Sequence, residues 1–452
     1  MSMCSASGGE DSSCHGEASL CVAKDDEPPL LSAAPSTIET PIYRSKNWND
    51  WRWQMANRIR TSQQLLAAFP SLTGSPDVTS VMAKYPMAIT PYYASLIRSA
   101  DNRDPIFQMC VPQAEELIDP PFLTPDPLEE CHDMPVPGMV HRYPDRALVI
   151  ATTMCSTYCR HCTRKRIAGT RETSITKRRL EQIAAYLREH PQISDVIVSG
   201  GDPLTMNTEH LEMVLSSLRA VPSVQIIRIG SRVPVVLPMR ITDELCQMIR
   251  KYHPVWINTH FNHPQELTPE SMEACRRLAD AGVPLGNQSV LLRGINDNPR
   301  IIEQLCRGLV RNRVRPYYMY QCDLVRGVEH FRTPVTRGME IMEYLRGRLS
   351  GLAIPTFVID APHGGGKIPV LPNYVVTQSP THTVLRNYEG MLIAYPEPHD
   401  RFDGECPAPQ EESSPGVWEL TSGQFSRIQP KTSVRYTRRK SCCASDGPVK
   451  DY

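Results

Sequence analysis

The sequence carries no surplus of either charge: Lys+Arg and Asp+Glu stand at 49 each in 452 residues. That balance excludes the broad basic field of a nucleic-acid-binding protein and the acidic field that gathers cationic partners. No stretch approaches the roughly 20 apolar residues of a membrane-spanning helix. Residues 1–20 are polar and lack the apolar core of a secretory signal. Fifteen cysteines, an odd number, are scattered from Cys4 to Cys443 without a disulfide framework. A reduced, soluble, cytoplasmic protein is expected. Proline, at 41 residues, is abundant and points to loop-rich margins.

Residues 1–40 are rich in Ser, Gly, Asp, Glu and Pro without periodicity, and a disordered tail is expected there, its Cys4, Cys14 and Cys21 unliganded. Residues 41–140 read as a helical lead-in opening at "NWNDWRWQMANRIR", with Asn49 or Asp50 as N-cap, and closing in the Pro- and acid-rich "IDPPFLTPDPLEECHDMPVPG". Residues 141–395 then alternate short apolar runs ("ALVIATT", "DVIVSGG", "VQIIRIGS", "VWINTHF") with helical patterns six times, which reads as βα units on a parallel sheet. Six units are too few for a closed eight-fold barrel, so an α/β partial barrel or an open sheet is expected. Functional side chains belong at the C-terminal ends of its strands. That rule selects Gly200, Gly201, Asp202, Ser231, His260, Gln288 and Asp323. Residues 396–452 read as a polar, extended tail.

Directly after the first strand comes "CSTYCRHCTRKR", a C-x3-C-x2-C spacing at Cys155, Cys159 and Cys162. A structural zinc site normally takes four ligands, and no second pair lies nearby. Three thiolates suit a [4Fe–4S] cube whose fourth iron stays open. S-adenosylmethionine (SAM) would chelate that iron and accept an electron into its sulfonium. Zinc is the alternative reading.

Further along, "HGGGKIPV" sets Lys367 after three glycines. The phosphate-loop pattern fails, since Ile368 stands where Ser or Thr is needed. Two readings remain: a solvated lysine, or a Schiff-base lysine for pyridoxal phosphate (PLP) on a mobile glycine loop.

The cysteine motif resembles that of the lysine 2,3-aminomutase family of radical SAM enzymes. The likeness continues through "HRYPDR", "SGGDPL", "RIGSR", "GNQSVLLRGIND", "PYYMYQCDL" and "GGGKIPVLPNY", over roughly residues 45–395. It implies a (βα)6 partial TIM-type barrel holding the cluster, SAM and PLP. The family's PLP lysine matches Lys367, and Arg142, Tyr143 and Arg146 match its phosphate and ring contacts. Arg164 matches the arginine that holds the substrate carboxylate. Asp323 and Asp360 match two carboxylates that grip a side-chain cation. Two buried carboxylates repel each other unless a cation joins them, so a basic amino acid is expected rather than an acidic one. Gly200, Gly201, Asp202, His260 and Gln288 are the expected SAM contacts.

The implied reaction moves the α-amino group of L-lysine to the β-carbon, with L-arginine as the alternative substrate and a PLP-free radical SAM reaction as a remote one. A flavodoxin- or ferredoxin-type electron donor and a homo-oligomer are expected. Two departures stand out. Asn298 follows "GIND" where relatives carry a zinc-binding cysteine, and the tail offers only Cys406 in place of a cysteine trio, so no such zinc is expected. His363 replaces a glycine of the lysine loop, where it either narrows the pocket or occupies the loop surface.

Overall fold

The computed structural model describes residues 45–398 apart from 73–77, 102, 170 and 380. The N-terminal tail with its three cysteines, and the C-terminal segment with Cys406, Cys442 and Cys443, therefore lie outside the described residues.

The lead-in forms five short helices, α1 (Trp51–Ala56), α2 (Ser62–Ala68), α3 (Val78–Lys84), α4 (Pro91–Ser95) and α5 (Pro105–Cys110). Asp50 is the N-cap of α1, accepting from the Arg52 amide. None of these helices is long enough to be stable by itself. They persist because buried apolar faces, such as Leu65, Tyr93 and Ile106, join the main core.

The centre is an open nine-stranded sheet in sequence order. Strands β1 (Met139–Tyr143) and β2 (Arg146–Thr152) pair antiparallel. From β2 onward β3 (Asp195–Gly200), β4 (Ile226–Gly230), β5 (Val255–Thr259), β6 (Leu285–Leu291), β7 (Val314–Gln321) and β8 (Thr356–Ala361) are all parallel. Strand β9 (Gly366–Pro369) turns back antiparallel on β8. Between the parallel strands lie α6 (Lys177–Glu189), α7 (Thr208–Arg219), α8 (Val233–Val236), α9 (Asp243–Arg250), α10 (Pro269–Asp280), α11 (Pro299–Arg311) and α12 (Val335–Leu345). Thr176, Asn207, Thr242, Thr268 and Asn298 cap five of them by accepting a backbone N–H, so each crossover starts at a residue the sequence specifies. The six βα units match the expected (βα)6 half-barrel, which the antiparallel edge strands leave open.

Two features differ from the sequence reading. A separate antiparallel sheet, β10 (Val375–Gln378), β11 (His382–Arg386) and β12 (Leu392–Pro396), follows the barrel. Lys367 also lies on β9 rather than within the glycine loop. The turn is made by His363, Gly364 and Gly366 with φ of 55°, 67° and 82°, and it sets Lys367 in register opposite Asp360.

Candidate active site

All the residues singled out for cluster, SAM, PLP and substrate line one cavity of about 500 Å³ at the C-terminal mouth of the half-barrel. Thr163 and Asp323, 160 residues apart in sequence, meet there because parallel strands deliver all their ends to one edge.

The cysteine loop is held from behind by the lead-in. Arg160, only 2% exposed, donates to both oxygens of fully buried Glu116 and to the carbonyls of Tyr85 and Pro86. Arg58 donates to the Cys155 carbonyl and to Glu172. Lys165 adds a second cation on Glu116 at 2.9 Å. In front, the close approach of β3 to this loop requires glycine. A Cβ at Gly200 would stand 2.3 Å from the Thr152 carbonyl oxygen, and one at Gly201 would stand 2.4 Å from that of Met154.

Burial pushes the Cys155 and Cys162 thiols up, and the neighbouring cysteines add to the rise, so the sulfurs feel one another. Among the described residues, no three His, Cys, Asp or Glu side chains are grouped as a single metal ion needs. Zinc draws its sulfurs to about 2.3 Å from one centre. Cys155, Cys159 and Cys162 nevertheless line one cavity, where three thiolates would leave the fourth iron of a cluster open. Cys159 also accepts a 2.7 Å hydrogen bond from Arg232.

Asp202 is already saturated. Its oxygens accept from the Ser231 hydroxyl and from the amides of Leu204, Arg232 and Val233 at 2.6–3.2 Å. It therefore anchors the turn after β4, and burial still pushes its carboxyl up to about 6. His260 bonds through Nδ1 to the Gln288 carbonyl oxygen at 3.1 Å, and burial, with Arg232 nearby, lowers it to about 4. The Gln288 amide donates to the Tyr320 hydroxyl at 3.2 Å.

At the other end lie the lysine and the carboxylates. Lys367 Nζ is 2.6 Å from Asp360 Oδ2 and 5.4 Å from the Tyr320 ring centre. Buried Asp360 Oδ1 and Asp323 Oδ1 have no hydrogen-bond partner. Thr163 donates to the second Asp323 oxygen. Burial, reinforced by Asp360, pushes the Asp323 carboxyl up to about 6 against the pull of Thr163, Lys367 and Arg164. These two unsatisfied oxygens suit a cationic guest.

Tyr143 connects the lysine to the expected phosphate contacts. Its hydroxyl accepts from the Lys367 amide at 3.1 Å, and Arg146 stacks on its ring at 4.4 Å. Arg142 is engaged with Asp133 at 3.0 Å, with the Leu128 carbonyl, and at 3.9 Å with Asp360. Lysine, stacked tyrosine and arginine thus run along one wall, and they fit a phosphorylated pyridine aldehyde. Arg164 is gripped by a residue the sequence reading missed: Glu130 accepts from it at 2.6 Å and from Arg166 at 2.8 Å. Burial would raise Glu130, but the two arginines outweigh it and hold the carboxyl at about 2. Nothing local marked Glu130, an acid in an aperiodic Pro-rich loop. His363 is absent from the cavity wall; it pairs with Glu129 at 3.0 Å and so occupies the loop surface.

Residues 149–305 match the Radical SAM superfamily. With the half-barrel and the cysteine loop at its mouth, the protein is a radical SAM enzyme, a class that implies a [4Fe–4S] cluster and SAM. Residues 342–448 match the Lysine-2,3-aminomutase family. L-lysine 2,3-aminomutase of Clostridium subterminale is 52% identical over 389 residues, covering 85% of this chain and 94% of that one. The enzyme of the same name from Fusobacterium nucleatum is 50% identical over 413 residues, 90% and 97% of the two chains. Glutamate 2,3-aminomutase of Clostridioides difficile is 46% identical over 350 residues, 77% and 82% of the two chains. The chain belongs to the lysine 2,3-aminomutase family and is an isomerase.

Proposed function

We propose that the protein converts L-lysine to β-lysine, moving the α-amino group to the β-carbon with SAM, a [4Fe–4S] cluster and PLP. The observation that carries this reading is the pair of buried carboxylate oxygens on Asp323 and Asp360 that accept no hydrogen bond, beside Lys367 and with Arg142 no nearer than 3.9 Å to Asp360. A glutamate substrate would bring an anion to those carboxylates, so the similarity to a glutamate aminomutase does not weigh equally. When bound, cluster and SAM supply a 5′-deoxyadenosyl radical, and PLP supplies the π-system that carries the unpaired electron during nitrogen migration.

The chain's own residues do the holding. Cys155, Cys159 and Cys162 ligate the cluster, and Gly200, Gly201, His260 and Gln288 border the SAM site, with Asp202 fixing its turn. Lys367 would tether PLP, Tyr143 would lie against its ring, and Arg142 and Arg146 would supply cations for its phosphate. Arg164 orients the substrate carboxylate while Asp323 and Asp360 share its ammonium. Held at both ends, the substrate would keep its α- and β-carbons in one fixed orientation.

L-arginine is the second reading, because a guanidinium can fork onto the same two aspartates. An electron donor of flavodoxin or ferredoxin type and assembly as a homo-oligomer belong to the same proposal. A cytoplasmic location, where free thiols stay reduced, belongs to it as well. Among the described residues no helix is long and apolar enough to cross a membrane. The test is anaerobic incubation with SAM, dithionite and each of lysine, arginine and glutamate, followed by mass spectrometry. A β-isomer of lysine is expected. Turnover of glutamate alone would overturn the assignment.

A further inference from the structure

Arg232 lies just beyond β4, its backbone N–H donating to Asp202 and its side chain reaching the cysteine loop. Its Nη1 donates to Cys159 Sγ at 2.7 Å, and its Nη2 reaches the Tyr93 hydroxyl and Glu266 Oε1, each at 2.7 Å. The Arg232 side chain is 7% exposed and that of Glu266 0%. Glu266 is itself fixed, its second oxygen accepting from the amides of Asn262 and His263. Arg232 borders the cavity, whereas Glu266 does not. A desolvated ion pair of this kind has one end placed on a cluster sulfur and the other sealed in the core.

The reaction does not otherwise employ this pair. Substrate carboxylate and ammonium have their own partners, and the turn after β4 is already fixed by Asp202. The remaining chemistry at Cys159 is that of its sulfur. A hydrogen bond and a positive charge at a ligating thiolate favour the cluster state that holds one more electron, and so raise its potential. A buried carboxylate beside that cation opposes the effect. Both groups are buried, so both contributions are screened less than they would be in water.

We infer that Arg232 and Glu266 together set the reduction potential of the cluster, Arg232 raising it through Cys159 and Glu266 holding it back. The pair thereby decides which donors can take the cluster from its 2+ to its 1+ state before SAM is cleaved. Arg232 is a positioning residue here, acting through the cysteine rather than on substrate. This inference rests on the cluster reading above.

The test is an EPR-monitored redox titration of anaerobically reconstituted full-length wild type, R232Q, R232K and E266Q, with iron and sulfide measured in each. The midpoint of R232Q is expected to move negative and that of E266Q positive. R232K, which keeps the charge without the planar fork, should fall between wild type and R232Q. Unmoved midpoints in R232Q and E266Q at full iron content would overturn the inference. So would loss of the cluster from both Arg232 variants with E266Q unshifted, since the arginine would then merely hold the loop. Wild type that takes up no iron would instead defeat the cluster reading itself.

Discussion

Lys367 stands directly across the β8–β9 hairpin from Asp360, its ammonium 2.6 Å from a carboxylate oxygen proposed to bind the substrate's own ammonium. The enzyme's amine thus occupies the place of the guest. With that amine tethered to PLP, its 2.6 Å ion pair with Asp360 would be replaced, and Asp360 would become available to substrate. PLP loading and substrate binding should therefore be coupled. We expect L-lysine to bind at least about tenfold more tightly to PLP-loaded enzyme than to the PLP-free form, a coupling of about 1.4 kcal/mol. Calorimetry on the two forms measures it. Borohydride should fix PLP covalently to wild type and not to K367A.

The raised Asp323 carboxyl gives substrate binding a pH dependence. With a folded pKa of about 6, above the ordinary value of about 3.9, Asp323 in the free protein keeps its proton below pH 6. A bound ammonium needs the charged form, so affinity should be flat above that pH and fall by up to about tenfold per unit below it. D323N should bind more weakly and lose the dependence. Binding curves across this range check both statements; a wild-type curve flat through pH 6 removes Asp323 from the ammonium site.

Strand and helix were legible because apolar runs and capped amphipathic segments alternate, and parallel strands then deliver their terminal residues to one mouth. That is why His260, Gln288 and Asp323 are legible as strand-end residues facing one cavity. Lys367 was legible as a chemical group, but its place on a strand facing Asp360 depends on a hairpin register that no local pattern encodes. Glu116, Glu130 and Glu266 were not legible. Each is a buried acid recognisable only by the arginine it meets, and those arginines lie 34 to 44 residues away in sequence. The same long-range pairing explains Arg142, whose Asp133 and Asp360 partners no spacing rule connects.

Glu116 offers a stability test. It is fully buried and carries both Arg160 and Lys165, joining the lead-in to the cysteine loop. E116Q would leave two buried cations sharing a neutral amide. Breaking such a pair costs about 3–5 kcal/mol, so a clear fall in the urea midpoint is expected. Because Arg160 lies within the cysteine motif, iron retention should fall in parallel. A variant as stable and as iron-rich as wild type would show that the lead-in does not brace the loop.

Glu130 supplies the sharpest test of the carboxylate site, because it already does to Arg164 what a substrate carboxylate would do. Both Arg164 and Arg166 converge on it, and their side chains retain 20% and 14% exposure. Water therefore screens part of the loss, and E130Q should cost about 2 kcal/mol, less than a fully buried pair. In E130Q the arginine fork lacks its charged partner, so an added amino-acid carboxylate gains more from binding there. Saturating L-lysine should then raise the melting temperature of E130Q by more than it raises that of wild type. The decarboxylated diamine, which keeps both amines and lacks the carboxylate, should show no such excess. If lysine and the diamine protect E130Q equally, Arg164 does not receive the carboxylate, and Glu130 and Arg164 form only a structural pair.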